Sequence, residues 1–305
     1  MWTNFTNDIK YKINKQKVEN PVLHTVLKWL LIILIIILII LLVLFILLFI
    51  VLPIVFAFCI ALQRLCVFWN IEEPKDPQFE HPEKYGYQGV KNFYITSTVS
   101  SDNTKPISIG AWWVPQENYI NSTETMEKIL ANSSYPVVLY NHGVKATRII
   151  RFPYVFGTLR KFFHIVAIDY RSYGDSDSID LTEDGVVIDV VNTYNLMKTK
   201  TKADIFIWGH SLGGGISTHA AKWLKDEQNE IIPGLVIESS FSCLRDEIYQ
   251  FFLTQIFKWL PWFDWCVTNP IYNNGFLFNT MENTQQVDCP IMMMHSADDP
   301  IIPYF

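Results

Sequence analysis

Nothing in this 305-residue sequence is spaced to hold a metal ion. The five cysteines lie far apart, no CxxC pair occurs, and no Cys/His cluster has zinc-site spacing, so a metal centre is not expected. A basic stripe is missing too. With 24 Lys and Arg against 30 Asp and Glu, the net charge is −6, which argues against nucleic acid as a partner. No internal repeat or low-complexity tract occurs outside one apolar segment. Half of the residues are hydrophobic, enough for one large domain and an accessory segment. A disulfide among Cys243, Cys266 and Cys289 stays open, since sequence does not pair them. Oligomeric state stays open as well.

Charge is absent altogether from Trp29 to Leu62. A helix needs about 20 apolar residues to cross the hydrocarbon core. This run is longer and contains Pro53, which predicts one tilted or kinked transmembrane anchor over 29–62. A cleaved signal peptide has a shorter apolar region, of about 7–15 residues, and a core helix carries polar positions. Lys10, Lys12, Lys15, Lys17 and Lys28 precede the run, while Arg64 and the acidic "IEEPKDPQFEHPE" follow it. Lysine excess marks the cytoplasmic side. Residues 1–28 therefore read as a cytoplasmic tail, 63–84 as a linker, and the rest as lumenal or extracellular. The sequons at Asn121 and Asn132 fall on that side and are glycosylation candidates, whereas Asn4-Phe5-Thr6 faces the cytosol and stays bare.

From about Tyr85 the pattern changes. "NFYITSTV" and "ISIGAWWVP" alternate like a strand pair. The runs "PVVLYNHG", "FHIVAIDYRSYG", "IFIWGHSLGG", "GLVIESSF" and "PIMMMHSADD" are each continuously apolar and end in glycine or polar residues. Strands buried on both faces read this way. Helical segments fall between them, at Gly185 to Thr199 and Gly214 to Lys225, and Gln116 to Ser134 reads as a surface loop with a short helical piece. Alternating strands and helices predict an α/β domain over 85–305, with a mostly parallel sheet wrapped on both faces. Sites in such sheets lie at the carboxyl ends of the strands, where the polar residues of these runs fall.

Gly209-His210-Ser211-Leu212-Gly213 fits G-x-S-x-G between a predicted strand and a predicted helix. A serine on that tight turn has its oxygen exposed above the sheet, and small neighbours let the elements close round it. The bland alternative is a small-residue turn. "YNHGVKAT" places His142 and Gly143 after an earlier strand, so that the amides of Val144 and Leu212 could hold an oxyanion. His142 is expected to brace the loop rather than act as base. "HSADDPIIP" sets two carboxylates after a late strand. The spacing to Ile302-Pro303 favours Asp299 over Asp298 as the group that orients a catalytic histidine, an acidic turn being the alternative.

These stretches, with "DYRSYGDS", "IESSF" and "LPWFDW…NPI", resemble the α/β-hydrolases, and more narrowly the membrane-anchored lysophosphatidylserine and monoacylglycerol lipases of the abhydrolase type. The resemblance covers most of the chain from Tyr85 onward. It implies Ser211 as nucleophile, Asp299 as triad acid, the Val144 and Leu212 amides as oxyanion hole, and a position facing the lumen of the endoplasmic reticulum. Monoacyl lipids are the implied substrates, with the bilayer as partner. Hydrolysis by a triad needs no cofactor.

One part of the pattern is missing. The triad order of the superfamily is serine, acid, histidine, and no histidine follows Asp299. His24, His81, His142, His164, His210, His219 and His295 all precede it, His295 being the nearest alternative. Three readings compete: a hydrolase fold lacking its last strand and helix because the chain is a fragment, a catalytically dead relative, or a rearranged site using His295 or His142. The first is the favoured expectation, with very weak or absent hydrolysis by this chain. Ile248 to Trp265, dense in aromatics, lies where a cap-like insertion over about 241–288 is expected. It reads as a lid or acyl-tunnel wall partly facing the bilayer, or as a helix packed on the core. A protein acyl-thioesterase is a further enzyme reading, disfavoured by the membrane span. A non-catalytic membrane protein that keeps the scaffold for binding is the reading from another class.

Overall fold

The computed structural model describes residues 10–11, 21–71, 76–149, 154–299 and 301–303. These fall into two units, 1–55 and 56–305. Lys12, Lys15 and Lys17, the sequon at Asn4 and residues 72–75 of the acidic linker lie outside the described residues.

The uncharged run is helical. Helix α1 covers Pro21–Ile46, a π-helical turn covers Leu47–Val51, and α2 covers Leu52–Phe58. Pro21 suits a helix start, because the first turn has no partner for an N–H that proline lacks. The π turn falls just before Pro53, whose missing N–H removes one hydrogen bond of the ladder and whose ring crowds the preceding turn. Pro21–Phe58 runs for 38 residues, with an 18-residue window of mean hydropathy 4.1, none of it buried. One such helix near the N-terminus fits a single-pass membrane protein. At Cys59 the backbone turns extended, and α3 (Ile60–Phe68) begins anew.

The second unit is built on a seven-stranded sheet among the described residues. Its strands are β1 (Lys91–Thr98), β2 (Pro106–Val114), β3 (Val137–Asn141), β4 (His164–Ile168), β5 (Ile205–His210), β6 (Leu235–Glu238) and β7 (Ile291–Met294), in the order β1-β2-β4-β3-β5-β6-β7. The alternating pair forms an antiparallel ribbon, with Lys91 opposite Trp113 and Thr98 opposite Pro106, and β2 joins β4 antiparallel. All other pairings are parallel. Every residue of β3 and β4 is buried, as their unbroken apolar runs require.

Helices cover the faces: α4 (Met126–Asn132), α5 (Tyr154–Leu159), α6 (Glu183–Lys200) and α7 (Leu212–Gln228). Thr182 caps α6 by accepting from the Gly185 amide at 3.0 Å, and Glu183 and Asp184 suit its first turn. Val186, Val190 and Met197 of α6 and Ile216, Ala220 and Leu224 of α7 enter the main core. A large apolar side chain buried there contributes about 1.5–3 kcal/mol. Between β6 and β7 the chain forms α8 (Leu244–Gln250), a 3-10 turn at Thr254–Ile256, a π turn at Asp264–Thr268, α9 (Asn269–Asn273) and α10 (Thr280–Thr284). This is the stretch from which a cap was expected. The five cysteines, Cys243, Cys266 and Cys289 among them, are free thiols.

Candidate active site

Ser211 sits where β5 gives way to α7, at φ 54° and ψ −122°. That is a left-handed conformation a residue with a Cβ adopts only under constraint, at roughly 1–3 kcal/mol. The constraint is visible at its neighbours. A Cβ at Gly209 would lie 2.2 Å from the Gly213 carbonyl oxygen, and one at Gly213 would lie 2.2 Å from that of Asn141. Only glycine lets strand, turn and helix close this far. The Ser211 amide donates to the Glu238 carbonyl at 2.9 Å, and Ser240 Oγ donates to the Ser211 carbonyl at 2.9 Å. The bent backbone is thus held by the neighbouring strand end, with the side chain half-buried.

The turn after β3 lies against the serine. A Cβ at Gly143 would meet Ser211 Cβ at 2.9 Å and His210 Nδ1 at 3.1 Å. Val144, next along, is exposed, and Leu212 is buried at the start of α7. His142 points inward. It is buried, packs at a tilt against Tyr170 with centroids 4.5 Å apart, and its Nδ1 donates to the Gly143 carbonyl at 2.7 Å. Burial pushes its imidazole down to about 4, with Arg148 adding to the effect and the Gly143 carbonyl opposing it. A neutral ring so enclosed braces the loop.

Asp299 comes from the far side of β6. Ser239 donates to the Met294 carbonyl at 2.8 Å, which ties the ends of β6 and β7 together. Asp299 follows β7, two strand spacings of about 4.8 Å each from β5. Its Oδ1 accepts from the amides of Ile301 at 2.9 Å and Ile302 at 3.0 Å. Burial works to raise this carboxyl; the Ile302 and Ile301 amides and the nearby His295 and His210 outweigh it and hold the group below its usual value. Asp298 instead accepts from Ser296 within the turn and is exposed. His295 lies beside Asp299, but its Nε2 donates to the Ile302 carbonyl at 2.8 Å and stands 3.8 Å from Asp299 Oδ2.

Three further histidines face elsewhere. His164 bridges the Gln116 amide and Ser133 Oγ at the amino end of β4. His219 pairs with Glu183 at 2.8 Å, and His81 with Glu83 at 3.0 Å.

Three features escape a reading of the sequence. Glu247 on α8 lies within electrostatic reach of Asp299; burial pushes its carboxyl up to about 7, and the Asp299 charge adds to this. Arg148, buried over the Phe79 ring at 4.0 Å, joins Asp169 and Asp175 beneath the loop that carries Gly143. Arg171 pairs with Asp189 in the same way. "DYRSYGDS" signals a motif, but its partners at 148 and 189 are set only by folding.

The profile of the Alpha/beta hydrolase family matches residues 142–305. This chain belongs to the alpha/beta hydrolase family. The matched stretch takes in the glycine turn, the Ser211 elbow and the Asp299 loop. Among curated proteins it is similar to the lysophosphatidylserine lipase ABHD12 of Xenopus tropicalis, at 30% identity over 259 residues, 81% of this chain and 64% of that protein. The lysophosphatidylserine lipase ABHD12 of Danio rerio is 30% identical over 261 residues, 82% of this chain and 65% of that protein. The chain spans just under two thirds of the length of these relatives. Among solved structures, an alpha-beta hydrolase from Vibrio vulnificus matches with a TM-score of 0.51 at 16% identity, covering 73% of this chain and 69% of that one. It shares the fold.

Proposed function

We propose that this chain is a membrane-anchored serine hydrolase acting on acyl esters of monoacyl lipids, lysophosphatidylserine and monoacylglycerol, with its hydrolase unit in the lumen of the endoplasmic reticulum. The observation that carries the reading is Ser211 at φ 54° on a strand-to-helix turn, with the amide-held Asp299 carboxylate two strands away. The similarity to lysophosphatidylserine lipases supports the substrate class.

In this reading Ser211 Oγ attacks the ester carbonyl. The amides of Val144 and Leu212 receive the negative oxygen, a contribution of about 3 kcal/mol for one such donor. The glycerol-bearing alcohol leaves with a proton, and water then releases the fatty acid from the acyl-serine. Asp299 orients and balances the imidazole that carries the proton. Five of the seven histidines have partners that draw them from this role: His81, His142, His164, His219 and His295. Hydrolysis by the 305 residues alone is therefore slow. Those partners also favour a second reading, a scaffold that binds lysolipid without turning it over.

Imidazole supplied in solution separates the two. With the 305-residue chain in vesicles holding lysophosphatidylserine, added imidazole is expected to speed fatty-acid release at least tenfold, on the order of the 10²–10⁴-fold worth of a general base. Ser211→Ala should abolish the gain and Asp299→Asn reduce it. Release that is the same in Ser211→Ala, with imidazole and without, overturns the hydrolase reading.

A further inference from the structure

The stretch from 252 to 265 is apolar on both sides. Leu260, Phe263 and Cys266 are buried beneath it. Its outer side carries Phe252 at 69%, Trp259 at 60% and Trp265 at 56% exposure, with Leu253 and Ile256 also exposed. Lys258 and Asp264 are its only charged residues. A segment that merely covers a core turns polar residues outward. Exposed aromatics gathered in this way mark an interaction face.

The partner is identified by what this face touches. The Trp265 ring meets the Phe58 ring edge-on, with centroids 6.2 Å apart. Phe58 is the last residue of the apolar helix Pro21–Phe58. The chain just beyond is clamped to the same region. Gln63 is fully buried, donates to the carbonyls of Phe56 at 2.8 Å and Ala57 at 3.2 Å, and accepts from Asn274 Nδ2 at 2.6 Å. Phe68 packs edge-on against Phe276 and Phe278, at 5.7 and 5.8 Å. Residues 58–68 are thereby fastened to the chain on either side of α9. Tryptophan, with an apolar body and one N–H, suits the boundary between headgroups and acyl chains.

We propose that the outer face of 252–265 docks into the headgroup–acyl boundary of the bilayer that Pro21–Phe58 crosses. The proposal rests on the membrane-anchored reading above and makes the anchor and the cap one membrane contact. Buried apolar area supplies the attraction.

The test uses the unaltered full chain in phosphatidylcholine vesicles that carry a phospholipid with a photoactivatable diazirine at the top of its acyl chain. After irradiation the lipid adducts are mapped by peptide mass. Adducts are expected within both Pro21–Phe58 and 252–265, and Phe252→Ser with Trp259→Ser should cut the second set severalfold while leaving the first unchanged. Adducts in Pro21–Phe58 with none in 252–265 overturn the proposal. Absence of adducts in Pro21–Phe58 overturns the anchored reading itself. No outcome depends on turnover, so a failed imidazole rescue stays distinguishable from a failed docking face.

Discussion

At the scale of the residue, the two histidines in the most enclosed settings store charge-free stability. Burial holds both His142 and His164 down to about 4. In the unfolded chain each would titrate near 6.5. The folded value is depressed, so each contributes stability that is present above pH 6.5 and is lost as pH falls towards 4. The unfolded chain takes up the proton and the folded one does not. For the fully buried His142 the loss amounts to about 3 kcal/mol. Chemical denaturation at pH 7 and pH 5 should show a lower midpoint at pH 5, and His142→Gln should flatten the difference. An equal slope in that variant would remove His142 as the cause. Ser211 is strained for a different reason: Gly209 and Gly213 let the backbone close on it, whereas a Cβ at either would overlap a carbonyl oxygen.

At the scale of the element, one carboxylate ties α6 to the chain returning from the cap. Glu183 is buried, and its Oε2 accepts from the amides of Leu277 at 2.6 Å and Phe278 at 2.8 Å. Its Oε1 pairs with His219 on α7. Glu183→Gln keeps the shape but exchanges charge-assisted bonds for neutral ones, a loss of about 1–2 kcal/mol. Hydrogen exchange should quicken at the amides of Leu277 and Phe278 while those of β3 and β4 stay protected. In sequence Glu183 reads only as a first-turn acid following the Thr182 cap. The partner amides lie far along the chain, so no local pattern announces them. The strands were legible for the opposite reason. Val137–Asn141 and His164–Ile168 are buried throughout, and burial on both faces leaves an unbroken apolar run, whereas the similar run at Ile291–Met294 has Met292 and Met293 exposed.

At the scale of the whole molecule, the proposed lumenal orientation, read from the lysine-rich flank of the apolar run, is tested by glycosylation. Asn121 and Asn132 are exposed on the hydrolase unit, the second at the end of α4. Expression in microsomes should add two endoglycosidase-sensitive glycans, each lost in turn in Asn121→Gln and Asn132→Gln. An unglycosylated chain would place the hydrolase unit in the cytosol. The sequence by itself determined the length and uncharged character of the apolar run, the alternation of strands and helices, and the serine turn. Each of these is written in neighbouring residues: unbroken hydropathy, burial on two faces, and glycines on either side of Ser211. Only the tertiary structure decided that His164 is engaged by Gln116 and Ser133, that His219 is engaged by Glu183, and that Gln63 meets Asn274 while Phe68 packs on Phe276 and Phe278. Those contacts join residues far apart in the chain, and their existence depends on distances that close only when the sheet has formed.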